Sequence, residues 1–305
     1  MVADIPDTVT ESGSGLEAPV APRVRQAFAL LERLAPGLGA RLAIELWCTP
    51  PAIEMSLRMP PGVPAGEPIE AWWQGHRVAG QSWGAGPSVY LVHGWGGCQA
   101  HLGVFVKPLV DAGHRVVAVD LPSHNGSAAG VLAPGRTTIV ECAEAVRAVV
   151  AAHGPAKAIV AHSLGAKAAA LAVARGAAAE RLVFLAPMGD FALYLDLFAV
   201  RYGFGPRIRQ RLHRRLDRRL GTPLYDTDIS AIAASATNPP LLLVHDPDDL
   251  DSPYAASTQI ADTWPGASLV TTKGLGRLAH YRILRHRPAI NAAIDFITEP
   301  GAISR

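Results

Sequence analysis

Six short apolar runs, rich in β-branched residues, punctuate the chain: Val89–Val92, Val116–Val119, Ala158–Ala161, Leu182–Leu185, Leu241–Val244 and Leu269–Thr271. The segments between them carry apolar residues at helical spacing. A strand that is apolar at every position has no wet face, so it belongs in a sheet covered on both sides. Strand and helix in strict alternation is the pattern of parallel strands joined by crossover helices. The expected fold class is therefore α/β, with a mostly parallel central sheet and helices on both faces. Thr138-Ile139-Val140-Glu141 has the capping-box form and predicts the start of one of those helices. Ahead of the alternating region, Phe28, Leu31 and Leu34 fall at helical spacing between Pro22 and Leu46, with a break at Pro36-Gly37. Ile53–Met59 and Pro68–Gly80 alternate like strands.

One interval breaks the rhythm. About fifty residues, 188–239, separate two strands, far more than a crossover loop needs. This is read as an insertion with its own helices. Within it Ile208, Leu212, Leu216 and Leu220 recur at spacing four, and arginine fills most of the remaining positions.

The stretch AIVAHSLGAKAAALA places Ser163 between a strand-like run and an alanine-rich helical one. Two residues to either side stand Ala161 and Gly165, both small. A sharp strand-to-helix turn needs small residues there, because the backbone passes close to its neighbours. This is the nucleophile-elbow pattern with alanine in the first glycine position. The plain alternative is a serine capping a helix. A serine hydroxyl attacks only if a base takes its proton and a carboxylate orients that base. In this fold the order is serine, then acid, then histidine. Downstream, the loop after Leu241–Val244 supplies Asp246, Asp248, Asp249 and Asp251. The region after the last strand supplies His280, with His286 six residues on. His93-Gly94-Trp95-Gly96-Gly97 ends another strand, and its glycines let backbone approach a substrate. The N–H groups of Trp95 and Leu164 would form the oxyanion pair. Neither phosphate-loop pattern is present.

In chain order these features resemble the α/β-hydrolase superfamily, from about Leu46 to the C-terminus. The resemblance is carried by the HGW loop, the Val119-Asp120-Leu121-Pro122-Ser123-His124 turn, the AHSLG elbow and the GLG…H…RIL ending. It implies a serine hydrolase acting on carboxylic esters or related acyl groups, without cofactor or metal. It implies Ser163 as nucleophile, His280 as base and Asp249 as the orienting acid, because His245, Asp249 and Pro253 match the family's H-x-x-x-D-x-x-x-P spacing. Arg277-Leu278-Ala279 between GLG and His280, and Pro122-Ser123-His124-Asn125-Gly126 in place of the usual PGHG, depart from the family pattern. The 188–239 insertion becomes the expected helical lid. Residues 1–20 are expected to form a disordered tail ahead of one domain spanning 21–305. A thioesterase, lactonase or acyltransferase on the same residues, or a non-catalytic binding protein of the same fold, are the alternatives.

The partner expected is a small acyl substrate. The net charge of +2 gives no nucleic-acid signature, and no apolar run reaches the length of a membrane span. The polar, acidic opening lacks the form of a secretory signal. Cys48, Cys98 and Cys142 are too few and too scattered for a disulfide framework or a zinc site. The expected compartment is the cytoplasm.

Overall fold

The computed structural model describes residues 20–51, 58–234 and 238–299. The expected tail and most of the Ile53–Met59 stretch lie outside the described residues. Among these, β1 (Glu67–Trp73), β2 (His76–Trp83), β3 (Ser88–Val92), β4 (Arg115–Val119), β5 (Ala156–His162), β6 (Leu182–Leu185), β7 (Leu241–His245) and β8 (Ala267–Thr271) form one sheet. Its order is β1-β2-β4-β3-β5-β6-β7-β8. The pairs β1–β2 and β2–β4 are antiparallel, and every other pair is parallel. The Pro68–Gly80 stretch is a hairpin rather than one strand. Gln74 and Gly75 both take positive φ, 49° and 81°, as a two-residue mirror turn requires.

The apolar runs behave as their composition demands. β3, β6 and β7 are buried at every position. Their side chains alternate between two cores: Tyr90, Phe184 and Leu243 face one, while Leu91, Val183 and Val244 face the other. The first core is closed by helices Ile139–His153, Leu164–Ala174 and Tyr254–Thr263, the second by Val106–Asp111 and Arg287–Thr298. The Thr138 capping box is formed, with the Thr138 hydroxyl accepting the Glu141 N–H and the Glu141 carboxylate accepting the Thr138 N–H. The Leu269–Thr271 run differs from expectation. It lies in β8, an edge strand with most of its residues exposed.

The insertion folds as helices Phe191–Tyr202, Pro206–Leu220 and Ile229–Ala233. The Ile208, Leu212, Leu216, Leu220 stripe is buried. Helices Pro22–Leu34 and Pro36–Trp47 pack on these elements, a partnership no motif announced. A Cβ on Gly39 would meet the Ile208 side chain at 2.4 Å, so glycine sets the close approach of two helices. Arg25 donates to the Val200 and Arg201 carbonyls at the end of helix Phe191–Tyr202. Glu32 accepts the N–H groups of Arg207 and Ile208 at the start of helix Pro206–Leu220. Each charge meets the helix end whose orphan groups and dipole it complements. We call the insertion and these two helices the cap.

Candidate active site

The chain order reverses between β3 and β5, and in open α/β sheets ligands gather at the strand carboxyl ends beside such a point. Ser163 lies there, between the last residue of β5 and the first of the next helix. Its backbone has φ 53° and ψ −122°, a conformation that costs a non-glycine residue on the order of 1–3 kcal/mol. The turn holds because its surroundings admit nothing else. A Cβ on Gly165 would stand 2.4 Å from the His93 carbonyl oxygen and 2.7 Å from that of Val92. Ala161 is fully buried on the other side. The small residues flanking the serine have their physical cause in these contacts.

His280 follows β8. The extra residues after Gly276, the departure from the family pattern, are helical. They form a 3-10 turn, Gly276–Leu278, running into a helical turn, Ala279–Arg282, that carries the histidine. His280 Nε2 is 3.0 Å from Ser163 Oγ, and its Nδ1 is 2.8 Å from Asp249 Oδ2. Asp249 Oδ1 accepts the backbone N–H groups of Asp251 and Ser252, each at 2.8 Å. A carboxylate can only accept, so Nδ1 of His280 carries the proton and Nε2 turns its lone pair to the serine hydroxyl. The competing aspartate Asp246 is engaged elsewhere, accepting from the Asp248 N–H and the Thr272 hydroxyl. His286 stands at the start of the last helix without a side-chain cap bond.

Electrostatics follows the geometry. Burial works to lower the pKa of His280, but the hydrogen bond and charge of Asp249, with Asp251 behind it, outweigh burial and raise it. Burial works to raise Asp249, and the hydrogen bonds from His245 and His280 override it, holding the carboxyl well below the usual range.

Gly97 donates to the Gly94 carbonyl at 3.0 Å, closing a turn with Trp95 at its second position. Leu164 opens a helix, so its N–H has no acceptor in a preceding turn. Both residues line the same cavity as Ser163 and His280. The cavity measures about 380 Å³, and most of its wall is apolar. The cap supplies much of that wall through Trp47, Phe191, Phe198 and Tyr202, with the Trp47 ring 6.1 Å from Phe191 and 5.2 Å from Phe198. Asp249, Asp251 and His280 place donor atoms within 4.8 Å of one another, a metal-like spacing. Both Asp249 oxygens and both His280 nitrogens are already hydrogen-bonded, so this donor set does not fit a cation.

The sequence pattern of the Alpha/beta hydrolase family matches residues 89–293. The chain belongs to this family. None of the curated proteins matches the sequence. Among solved structures, this α/β-hydrolase is similar to a hydrolase from Pseudomonas aeruginosa PA01, with 20% identity and a TM-score of 0.57, over 78% of this chain and 100% of that one. It is similar to Est816, described as an N-acyl homoserine lactone degrading enzyme, with 18% identity and a TM-score of 0.56, over 75% and 99%. It is also similar to the thioesterase domain from the curacin biosynthetic pathway, with 18% identity and a TM-score of 0.55, over 78% and 100%. These likenesses show the fold.

Around the hydrolase site lie three histidines to which the sequence assigned no role. His124 Nε2 accepts the Gly96 N–H at 3.0 Å while its Nδ1 donates to the Pro122 carbonyl. Asn125 donates to the Gly97 carbonyl at 3.1 Å. The Ser123-His124-Asn125 departure from the family turn thus braces the HGW loop. His93 Nε2 accepts the Leu121 N–H at 3.0 Å. His162 donates from Nε2 to the His280 carbonyl at 2.9 Å, and burial, then the neighbouring His280, holds its pKa far below the ordinary value. The available signal was position: His93 and His162 close β-runs immediately before the glycine loop and the serine.

Proposed function

We propose that this protein is a serine hydrolase that cleaves a carboxylic ester or a related acyl bond through an acyl-serine intermediate. The observation that carries the reading is the unbroken hydrogen-bonded chain from Asp249 through His280 to Ser163 Oγ, on a strained elbow facing an apolar cavity. In this mechanism His280 Nε2 takes the hydroxyl proton as Oγ bonds to the acyl carbon. The carbonyl oxygen gains the negative charge and is held by the N–H groups of Trp95 and Leu164. The C–O bond to the alcohol breaks as His280 returns the proton to the leaving oxygen, and the acyl group stays on Ser163. A water then gives its proton to His280 and attacks, freeing the acid and the serine. Asp249 remains ionised and stabilises the imidazolium at each stage.

The acyl group lies against the cap. The cavity of about 380 Å³ is the space in which the acyl group would sit. The insertion 188–239 serves as the lid that selects among acyl groups and contributes none of the proton-transfer residues. A lactone or thioester presents the same carbon to Ser163. The solved relatives with those activities share the fold, so both belong in the substrate panel. The test is a fluorophosphonate probe followed by peptide mapping, with turnover of activated esters from acetyl to dodecanoyl, a lactone and a thioester. The wild type is expected to be labelled on Ser163 and Ser163→Ala to be unlabelled and inactive. Labelling on Ser123 or Ser127, or no turnover across the panel, would overturn the reading.

A further inference from the structure

Twelve large hydrophobic residues are exposed among the described residues, and eight of them lie on three cap helices. The concentration has a pattern. On helix Pro36–Trp47, Leu38 and Leu42 stand opposite the buried Ala40, Ala43 and Ile44. On helix Phe191–Tyr202, Leu193, Leu197 and Val200 stand opposite the buried Leu195 and Ala199. Each helix therefore has an outward apolar stripe as well as an inward one. The Trp47 contacts with Phe191 and Phe198 join the two helices. Leu46 is both exposed and part of the cavity lining, so the patch runs to the cavity itself.

The same cap is basic. Residues 22–47 and 191–234 hold twelve arginines against six carboxylates, a surplus of six in a chain whose net charge is +2, which leaves −4 elsewhere. Arg25, Arg207 and Arg209 are engaged within the cap. Arg214, Arg215, Arg218 and Arg219 have no carboxylate partner among the described residues, and Arg215 lies in the repulsive field of Arg41 and Arg218.

We infer that the cap is a docking surface for an anionic bilayer, with its leucines in the headgroup–acyl boundary and its arginines on the lipid head groups. Apolar stripes this dense mark an interaction surface. The charge selects the occupant. A second copy would bring a surplus of six against a surplus of six, and a nucleic-acid backbone would leave the leucines without a partner. An anionic membrane satisfies both features, and it delivers acyl chains to the surface that bounds the cavity.

The test uses the full chain and sedimentation with vesicles of phosphatidylcholine alone or mixed with phosphatidylserine. Binding is expected on the mixed vesicles, weak on the neutral ones and reduced by salt. Neutralising Arg214, Arg215, Arg218 and Arg219 to glutamine should weaken partitioning at least tenfold, since each basic residue near such a surface contributes about fivefold. Leu42→Glu with Leu197→Glu should do the same, with thermal unfolding and turnover of a soluble short ester unchanged. Equal binding to neutral vesicles, or no binding to the mixed ones, would overturn the proposal. So would a dimer that the leucine substitutions dissociate, which would make a second copy the occupant. Binding that appears only after removal of the acidic residues 1–19 would assign the surface to that segment instead.

Discussion

Replacing Asp249 by asparagine separates the proton path from the fold. Asp249 Oδ1 faces two backbone donors, the N–H groups of Asp251 and Ser252 at 2.8 Å each. An amide NH₂ placed there would confront both, so the asparagine must keep its oxygen on that side. Its nitrogen then takes the Oδ2 position, 2.8 Å from His280 Nδ1 and 3.1 Å from His245 Nε2. Two N–H bonds now point at the two rings, and both rings can accept by changing tautomer. His245 can do so because its Nδ1 faces the Ser257 hydroxyl at 2.7 Å, which can accept as well as donate. The hydrogen bonds survive, but the His280 proton moves to Nε2, against Ser163 Oγ. The base then faces its substrate proton with a proton of its own. Turnover should fall on the order of 10⁴-fold, about 5 kcal/mol of transition-state stabilisation. The assay is kcat/KM on an activated ester, paired with thermal unfolding to show that the fold persists. Residual activity should also report the loss of charge. In the native protein the hydrogen bond and charge of Asp249 outweigh burial and raise His280. In the variant burial acts with less opposition, so the acid limb of the residual rate moves to lower pH. A folded Asp249→Asn variant within tenfold of wild type would refute the tautomer argument.

Four further outcomes follow from the same geometry. Because His280, as the proposed base, must be neutral and its pKa is raised, the wild-type rate should climb with pH through a limb above 6.5; a limb below that value in the pH profile would contradict the coupling to Asp249. The Asp249 carboxyl is depressed, so its contribution to folding stability is present above its ordinary 3.8 and is lost as the pH falls toward its native pKa, which acid unfolding of wild type against Asp249→Asn should register. Gly165→Ala puts a methyl against two backbone oxygens at 2.4 and 2.7 Å, neither free to move as a side chain would; it should destabilise by about 1–3 kcal/mol and lower turnover, and an unchanged melting temperature would show that the elbow has slack. His162→Phe keeps a ring but strips the His280 carbonyl of its donor, at about 1–3 kcal/mol; His162→Gln, able to donate, should recover part of both stability and rate, and equal losses in the two variants would argue that packing alone matters.

What the sequence disclosed and what it concealed divide along the range of the interactions. The parallel strands were legible because a strand buried on both faces is built on an apolar run, as Val89–Val92 of β3, Leu182–Leu185 of β6 and Leu241–Val244 of β7 are. The elbow was legible because two backbone oxygens of β3 and its following residue forbid any side chain at position 165, and small residues are visible in a sequence. β8 misled because Leu269 and Val270 read as core, yet an edge strand has solvent on one side. The hairpin at Gln74-Gly75 carried only one glycine, a faint turn signal. The histidines were the harder case. Eleven occur in the chain, and what distinguishes His93, His124 and His162 is which N–H or carbonyl each meets from a neighbouring strand end. The cap wall built by residues 22–47 was invisible for the same reason, since Gly39 against Ile208 and Glu32 against Arg207 are long-range contacts with no local signature.

Lys167 shows how the cap and Ser163 are kept in register. It lies four residues after Ser163, fully buried, with Nζ bonded to Asp228 and 4.3 Å above the Phe191 ring. Burial lowers the lysine and raises the aspartate, so desolvation of the pair offsets part of what its attraction supplies. Its distinguishing property is direction. Asp228 also accepts the Phe191 N–H at 3.0 Å, which ties the first turn of helix Phe191–Tyr202 to the helix that follows the serine. On the far side Arg25 and Glu32 fix the two helix ends of the Phe191–Leu220 hairpin with contacts that are equally directional. The surface turned to the cavity is different in kind: Trp47, Phe198 and Tyr202 meet one another through ring packing that tolerates exchange of shape. Polar contacts thus locate the cap relative to Ser163, and apolar ones shape the cavity wall. In the proposed reaction, substitutions in the wall would therefore change which acyl group fits while the distances from Asp249 to His280 and from His280 to Ser163 stay as they are.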